Sequence, residues 1–479
     1  MSIALKIKQY TADEIARITG GRLEEYSGGD KGLQDKISTD SREAEAGVIF
    51  CAIKGERVDG NDYILSAVEK GATVFICERV PDDAKNAGRA FSAVVVDDTI
   101  KAIGSLAADY RTYSRAKFVG VTGSVGKTTT KEFISAVASA SYKTHKTGGN
   151  YNNMLGLPLT IFGTEKDDEV VVLEMGMSDL GEIEYMTKIA RPDIAVITTI
   201  GTSHLASLGT RENICRAKME IRYGLGENGV LLLNGDDGYL TAAAETAGCK
   251  TVFFSTHSPT AEYRAVNVRV KEDSIMFDLL YNGKAVTNIE IPVLGKHNVY
   301  NATVGYAVGV MLGMTDDAIK RGLKRFVNVD KRQKIYSVGG ITVIDDCYNA
   351  SPESMRAAID VLVSLAAKKK ARPAALLGDM LELGKDSRIM HDQLGQYAAK
   401  SEVGKLFCYG KMADIIAEAA IKGGIRAENV FVCVDSTDAD AMAEMIVGAL
   451  GDGDILLVKA SRGVAAENVI EAMKKKTRD

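Results

Sequence analysis

One stretch constrains this chain more than any other: Gly120-Val121-Thr122-Gly123-Ser124-Val125-Gly126-Lys127-Thr128-Thr129. A β-like apolar run enters it at Phe118. A helical pattern leaves it, with Phe133, Ile134, Val137 and Ala138 on one face. Glycines let the backbone turn so that successive N–H groups converge, and the helix N-terminus adds its dipole at the same place. Such a loop takes a polyphosphate. Its expected nucleotide-binding residues are Thr122, Gly123, Ser124, Val125, Gly126, Lys127, Thr128 and Thr129. Lys127 would neutralise the outer phosphates, and Thr128 would offer its hydroxyl to Mg²⁺. The usual pattern has glycine five residues before Gly126, where this chain has Val121, so the loop is a T-G-x-x-G-K-T variant. Lys127 is expected to face solvent and phosphate rather than core. By itself the loop fits a kinase, a switch GTPase or a ligase.

The surrounding chain implies several domains, because 479 residues exceed one ordinary core. Apolar runs at residues 48–53, 73–77 and 93–96 read as strands, with a helix at 64–70. A helix at 100–113 precedes strands at 118–121, 170–173, 194–198 and 230–233. A third block has strands at 342–345, 374–377, 406–408, 430–432 and 455–458 with helices between, the pattern of a doubly wound sheet. The expectation is an α/β protein of three domains, 1–98, 99–328 and 329–479, the central one with a mostly parallel sheet and the last Rossmann-like. A net charge of -5 argues against general nucleic-acid binding. No apolar run is long enough to span a membrane, and the N-terminus lacks the apolar core of a signal peptide. The seven cysteines are scattered and never spaced C-x-x-C. They read as thiols in a reducing compartment, so a cytoplasmic protein is expected.

From the loop onward the sequence resembles the Mur ligase family over nearly its whole length. The carrying segments, in order, are Thr122-Gly123-Ser124-Val125-Gly126-Lys127-Thr128-Thr129, then Gly149-Asn150-Tyr151-Asn152-Asn153-Met154-Leu155-Gly156-Leu157-Pro158, then Glu174-Met175-Gly176-Met177. Gly201-Thr202-Ser203-His204-Leu205, Arg216-Ala217-Lys218-Met219-Glu220-Ile221 and Gly295-Lys296-His297-Asn298-Val299-Tyr300-Asn301-Ala302 follow. Three further segments resemble the members that add D-alanyl-D-alanine to a UDP-N-acetylmuramoyl-tripeptide. They are Asp345-Asp346-Cys347-Tyr348-Asn349-Ala350-Ser351-Pro352-Glu353-Ser354-Met355, Leu377-Gly378-Asp379-Met380-Leu381-Glu382-Leu383-Gly384, and Ser38-Thr39-Asp40-Ser41-Arg42 with the stretch 50–60 after it. Two departures occur. Thr199 stands where many members have asparagine, and Ser461-Arg462-Gly463-Val464 lacks the methionines usual after the S-R pair.

Joining a carboxylate to an amine is uphill in water. ATP overcomes this by making an acyl phosphate, and cations must then hold the gathered negative charge. Glu174 ends an apolar strand, where open α/β sheets bind ligands, and its hard oxygens suit Mg²⁺. A structural acid capping a helix would look the same. His204 and Lys218 read alone as a loop histidine and a solvated helical lysine. The resemblance makes them, with Thr128 and Glu174, ligands of two Mg²⁺ ions, Lys218 as a carbamate fourteen residues after His204. Lys127, Glu174, His204 and Lys218 are then the expected catalytic residues. The resemblance further assigns Asn298 and Asn301 to the nucleotide base. Arg332 and Asp346 would reach back to phosphates and ribose. Tyr348, Asn349, Ser351, Ser461 and Arg462, with Asn150, Asn152 and Asn153, would meet the peptide substrates, and Ser41 and Arg42 the uridine nucleotide of a UDP-binding first domain. The implied partners are UDP-N-acetylmuramoyl-tripeptide and D-alanyl-D-alanine, with a monomer expected. The alternatives are another amino-acid ligase of the family, a P-loop kinase or switch, and a non-catalytic UDP-sugar-binding module. The D-N-P-R segment of the diaminopimelate-adding relative is absent.

Overall fold

A computed structural model describes residues 2–328 and 331–477. The expected boundary between residues 328 and 329 falls at the pair 329–330 and lies outside the described residues. Among the described residues, twenty-one strands form three sheets. The first, in the order β1-β3-β4-β5-β6-β2, uses β1 (Ile3–Ala4), β2 (Arg22–Tyr26), β3 (Lys36–Ser38), β4 (Val48–Cys51), β5 (Val74–Cys77) and β6 (Phe91–Val95). Its centre, β3 to β6, is parallel, and β1 and β2 close its edges antiparallel.

The second sheet has nine strands. They are β7 (Lys117–Thr122), β8 (Thr144–Lys146), β9 (Val170–Glu174), β10 (Ile194–Ile197), β11 (Val230–Asn234), β12 (Lys250–Ser255), β13 (Tyr263–Val270), β14 (Ile275–Tyr281) and β15 (Lys284–Ile291). Their order is β15-β14-β13-β12-β11-β10-β7-β9-β8. From β8 to β13 neighbours run parallel, so strand after strand ends at one rim. The chain leaves β7 toward β9 on one side and β10 on the other. That reversal opens a crevice at the strand ends, directly over the glycine-rich loop. The sequence reading places no strands over residues 250–291, yet β12 to β15 lie there, β13 to β15 as an antiparallel meander. Charged outward positions interrupt the apolar pattern. In β13 the buried residues are the alternate pair Tyr263 and Ala265, and pairing with β12 makes them strand.

The third sheet comprises β16 (Lys334–Val338), β17 (Ile341–Asp345), β18 (Pro373–Gly378), β19 (Lys405–Tyr409), β20 (Val430–Cys433) and β21 (Ile455–Lys459), ordered β16-β17-β21-β18-β19-β20. It is parallel except for β16.

The first two sheets share a core. One apolar cluster runs from Ile49, Ile76 and Val94 through Ile103, Leu106 and Tyr110 of the Thr99–Thr112 helix to Phe118 and Leu173. The third sheet has its own clusters on its two faces. The Lys127–Ala138 helix after the loop is enclosed. It buries Phe133, Ile134, Val137 and Ala138, and Phe133 stacks on Phe326 with ring centroids 3.8 Å apart. Gly322, in the Asp316–Lys324 helix, lets that helix close on it. A Cβ at Gly322 would stand 2.5 Å from Val137 Cα and 2.8 Å from the Ala136 carbonyl oxygen.

Gly322→Ala therefore sets two effects against each other. Helix propensity favours alanine by about 0.5–1 kcal/mol. Overpacking against backbone that cannot turn aside costs about 1–3 kcal/mol. The variant should lose roughly 1–2 kcal/mol net in urea unfolding, and a variant as stable as the parent would refute this packing.

Candidate active site

The loop geometry follows from close approach. Gly123 has φ +147°, and a Cβ there would stand 1.8 Å from the Thr198 hydroxyl. That hydroxyl donates to the Val125 carbonyl at 2.6 Å, and Ser124 N–H donates to the Thr199 carbonyl at 2.9 Å. The segment after β10 thus braces the loop from behind. Thr122 is buried and donates to the Met175 carbonyl at 2.8 Å. Gly126 has φ +88° at the start of the helix.

Lys127 does not project into solvent. Its ammonium folds back to donate to the Gly123 carbonyl at 2.7 Å. An ammonium has donors only, and here the loop's own carbonyls accept from it. Burial and, more weakly, the Arg332 cation hold its pKa below the ordinary lysine value, while Glu174 pulls the other way.

Glu174, 2% exposed at the end of β9, lies beneath the loop. Its Oε1 accepts from Thr128 Oγ1 at 3.0 Å and from Asn152 Nδ2 at 2.9 Å. Its Oε2 is buried without a hydrogen-bond partner. The nearest cation is Lys131, 3.9 Å from that oxygen, which sequence reasoning passed over as a helix residue. Among the described residues, no three His, Cys, Asp or Glu side chains form a protein-only metal cage.

A cavity of about 1410 Å³ spreads from the loop to the third sheet. Of the sequence-predicted residues it collects Ser124 to Thr129, Asn152, Asn153, Glu174, His204, Asn298 and Asn301 from the central part of the chain. Arg332, Asp346, Tyr348, Asn349, Ser351, Ser461 and Arg462 meet them from the far side. Thr122 and Gly123 lie behind it, and Asn150 is exposed outside it. Ser41 and Arg42 belong to the first sheet's loops, where Arg42 pairs with Asp40 at 2.6 Å.

Several predicted side chains are already bonded within the protein. Asn301 accepts from Thr130 Oγ1 at 3.0 Å and donates to Asn298 Oδ1 at 2.9 Å, and Asn298 donates to the Leu294 carbonyl at 2.7 Å. This relay stands behind Gly126, whose absent Cβ would lie 2.9 Å from Asn301 Oδ1. Asn153 accepts from Gly156 N–H at 2.8 Å, where the Gly156–Phe162 helix begins. Ser351 caps the Pro352–Lys369 helix. Ser461 accepts from Leu381 N–H at 2.9 Å. The Tyr348 ring has the Arg332 guanidinium 4.2 Å and the Arg462 guanidinium 5.5 Å from its centroid. Thr199 donates to Asp237 at 2.9 Å, which gives the departing residue a definite partner.

Lys218 is 1% exposed on the Arg211–Met219 helix capped by Thr210, and it does not reach the cavity wall. Burial, and next the Lys127 cation, push its pKa well below the ordinary lysine value. It is not the solvated residue its helical context suggests.

Sequence reasoning missed Lys459, which is 3% exposed and donates to Asp346 Oδ2 at 2.7 Å and to the Asn349 carbonyl at 2.9 Å. It ends the buried run of β21 as Glu174 ends that of β9. A polar residue closing an apolar strand was the available signal. Also missed were Glu353, which accepts from Thr202 Oγ1 at 3.1 Å, and Glu382, whose Oε2 lies 2.9 Å from His204 Nδ1. The hydrogen bond from His204, then the Lys127 charge, holds the Glu382 carboxyl below its ordinary pKa.

The family profile for the Mur ligase middle domain matches residues 121–309, that for the Mur ligase glutamate ligase domain residues 331–462, and that for the Mur ligase family catalytic domain residues 35–111. The UDP-N-acetylmuramoyl-tripeptide--D-alanyl-D-alanine ligase of Bacillus subtilis is 38% identical over 91% of this chain and 92% of its own. The Escherichia coli enzyme of that name is 31% identical over 97% and 98%. A crystal structure of MurF from Acinetobacter baumannii superposes with a TM-score of 0.86 at 32% identity, covering 98% of this chain and 99% of that one. MurF ligase from Thermotoga maritima in complex with ADP gives 0.81 at 29% identity, covering 92% and 97%. With its loop, its three sheets and its near full-length relatives in agreement, the chain belongs to the Mur ligase family.

Proposed function

We infer that this protein is an ATP-dependent ligase that joins D-alanyl-D-alanine to the terminal carboxylate of UDP-N-acetylmuramoyl-tripeptide, a step in peptidoglycan precursor synthesis. The observation that carries the reading is one cavity bringing the phosphate-type loop and Glu174 to the segment around Tyr348. The near full-length B. subtilis relative of that name supports the substrate, and the ADP-bound T. maritima neighbour supports the nucleotide. The γ-phosphoryl group passes from ATP to a tripeptide carboxylate oxygen, and ADP leaves. The dipeptide amine then attacks the acyl carbon, gives up a proton, and phosphate departs.

The chain's part in this is positioning and charge. The amides of Val125 to Thr129 cradle the phosphates, while that of Ser124 stays on the Thr199 carbonyl and holds the loop in place. Lys127, released from Gly123, follows the outer phosphate. The partnerless Glu174 oxygen beside the Thr128 hydroxyl is a donor set that fits Mg²⁺, with phosphate oxygens and water completing the shell. Magnesium there supplies neutralisation of the polyphosphate. The resemblance would put a second ion on His204 and a carbamate on Lys218: Lys218 stops short of the cavity wall, a carbamate would carry its oxygens beyond the ammonium position, and it forms only on a neutral amine, which burial favours. Asn298 and Asn301 shape the base site, and Arg332 and Asp346 the phosphate and ribose sites. Tyr348, Asn349, Ser351, Ser461 and Arg462, with Asn150, Asn152 and Asn153, meet the peptide substrates, and Ser41 and Arg42 the uridine nucleotide. The same reading divides the chain at 98/99 and 328/329 and takes it as a cytoplasmic monomer. No helix among the described residues is long and apolar enough to cross a membrane.

Phosphate release should require both UDP-N-acetylmuramoyl-tripeptide and D-alanyl-D-alanine; equal release with D-glutamate or a free diamino acid would point to another ligase of the family. Lys127→Ala should fold normally and lose about 10²-fold or more in kcat, and near-normal turnover would mean that the loop does not hold the triphosphate. Lys218→Ala should lose most activity and regain part with added acetate, and bicarbonate removal should slow the native enzyme. Full activity of Lys218→Ala in carbon-dioxide-free buffer would eliminate the carbamate.

A further inference from the structure

The turn after β10 meets the third sheet at a pair of residues with unusual backbones. His204 and Glu382 both have φ +65°, a left-handed conformation that non-glycine residues adopt only when their surroundings compel it. Their side chains meet at 2.9 Å between His204 Nδ1 and Glu382 Oε2. The backbone joins at the same place, with Ala206 N–H donating to the Glu382 carbonyl at 2.9 Å. Gly384 comes so near that a Cβ would lie 3.2 Å from Ala206 Cα.

The segment that presents Glu382 is anchored in the third sheet. Asp379 accepts from the Lys411 and Met412 N–H groups, each at 2.9 Å. Met380 N–H donates to His391 Nε2 at 2.8 Å, and His391 Nδ1 donates to the Ser387 carbonyl at 2.7 Å. Glu382 therefore reaches His204 from a fixed base rather than a loose loop.

We propose that Glu382 is a positioning residue, which fixes the ring and tautomer of His204 from the third domain, so that the reaction centre is complete only while that domain is docked. The inference rests on the reading that His204 belongs to that centre. A carboxylate oxygen only accepts, so the proton of a neutral His204 stays on Nδ1. Nε2 is left with its lone pair, on a residue lining the cavity. A carboxylate behind a histidine fixes its ring orientation and tautomer. The Glu382 side chain is 59% exposed, so the pair adds little to stability and acts on geometry instead. Docking of the third domain would thus be read out at a residue of the central one, which couples arrival of the dipeptide side to readiness of the phosphate side.

The test compares Glu382→Ala, Glu382→Gln and His204→Ala in the full chain. Glu382→Ala should lower kcat by about 10- to 100-fold, leave the KM for D-alanyl-D-alanine and the Tm nearly unchanged, and release His204 into mixed tautomers in ¹⁵N–¹H histidine spectra. Glu382→Gln keeps an accepting oxygen and should recover most of the kcat and the single Nδ1–H tautomer. Glu382→Ala with parental kcat and an unchanged His204 signal would overturn the proposal. A fully active His204→Ala would instead remove His204 from the reaction centre, while the spectra would still decide whether Glu382 holds its ring.

Discussion

The bond from the Thr128 hydroxyl to the buried Glu174 carboxylate is where the architecture converges. It joins the first turn of the helix after β7 to the end of β9, the two strands flanking one side of the crevice. A carboxylate this deeply buried is tolerated only where donors and cations surround it. Thr128, Asn152 and Lys131 provide that setting, and the Glu174 amide's bond to Thr147 Oγ1 fixes the backbone that presents the carboxylate. One oxygen still lacks a hydrogen-bond partner. A folded core does not leave such an atom without reason, and a cation-binding role supplies one.

The same economy governs how the sheets are joined. The first sheet shares apolar core with the central one, through the Thr99–Thr112 helix, so relative motion would open a hydrophobic interior. The third sheet carries separate cores, and polar groups feature among its contacts to the centre: Thr202 to Glu353, His204 to Glu382, and the amide of Gln333 3.3 Å from His297 Nε2. Polar contacts can be exchanged for water at small net change in free energy, whereas an apolar core cannot. The cavity therefore lies between a unit built around one shared apolar core and a unit that meets it partly through polar contacts.

Much of the fold was legible in sequence because its central strands are buried on both faces and read as short apolar runs. The strands expected at 170–173, 230–233 and 455–458 appear as β9, β11 and β21, each one residue longer. β13 and β15 were not legible, because their half-exposed residues mix charge with apolar positions and take strand form by pairing, whereas β14 is a mostly buried apolar run that sequence reasoning passed over. Short edge strands such as β1 and β8 carry too few residues for any period to show.

What the sequence alone determined is local: a loop whose glycines, lysine and threonine suit a triphosphate, an acid ending a buried strand, and ordered segments that mark the Mur ligase family. These are matters of residue type and spacing along one chain. Tertiary structure decided which of these side chains remain available. It turned Lys127 back on its own loop, tied Asn298 and Asn301 into a relay behind Gly126, buried Lys218, and matched Asp346 with Lys459 and His204 with Glu382. Asp346 and Lys459, and His204 and Glu382, lie more than a hundred residues apart in sequence, and their pairing depends on distance in space and on loss of water, neither of which spacing along the chain encodes.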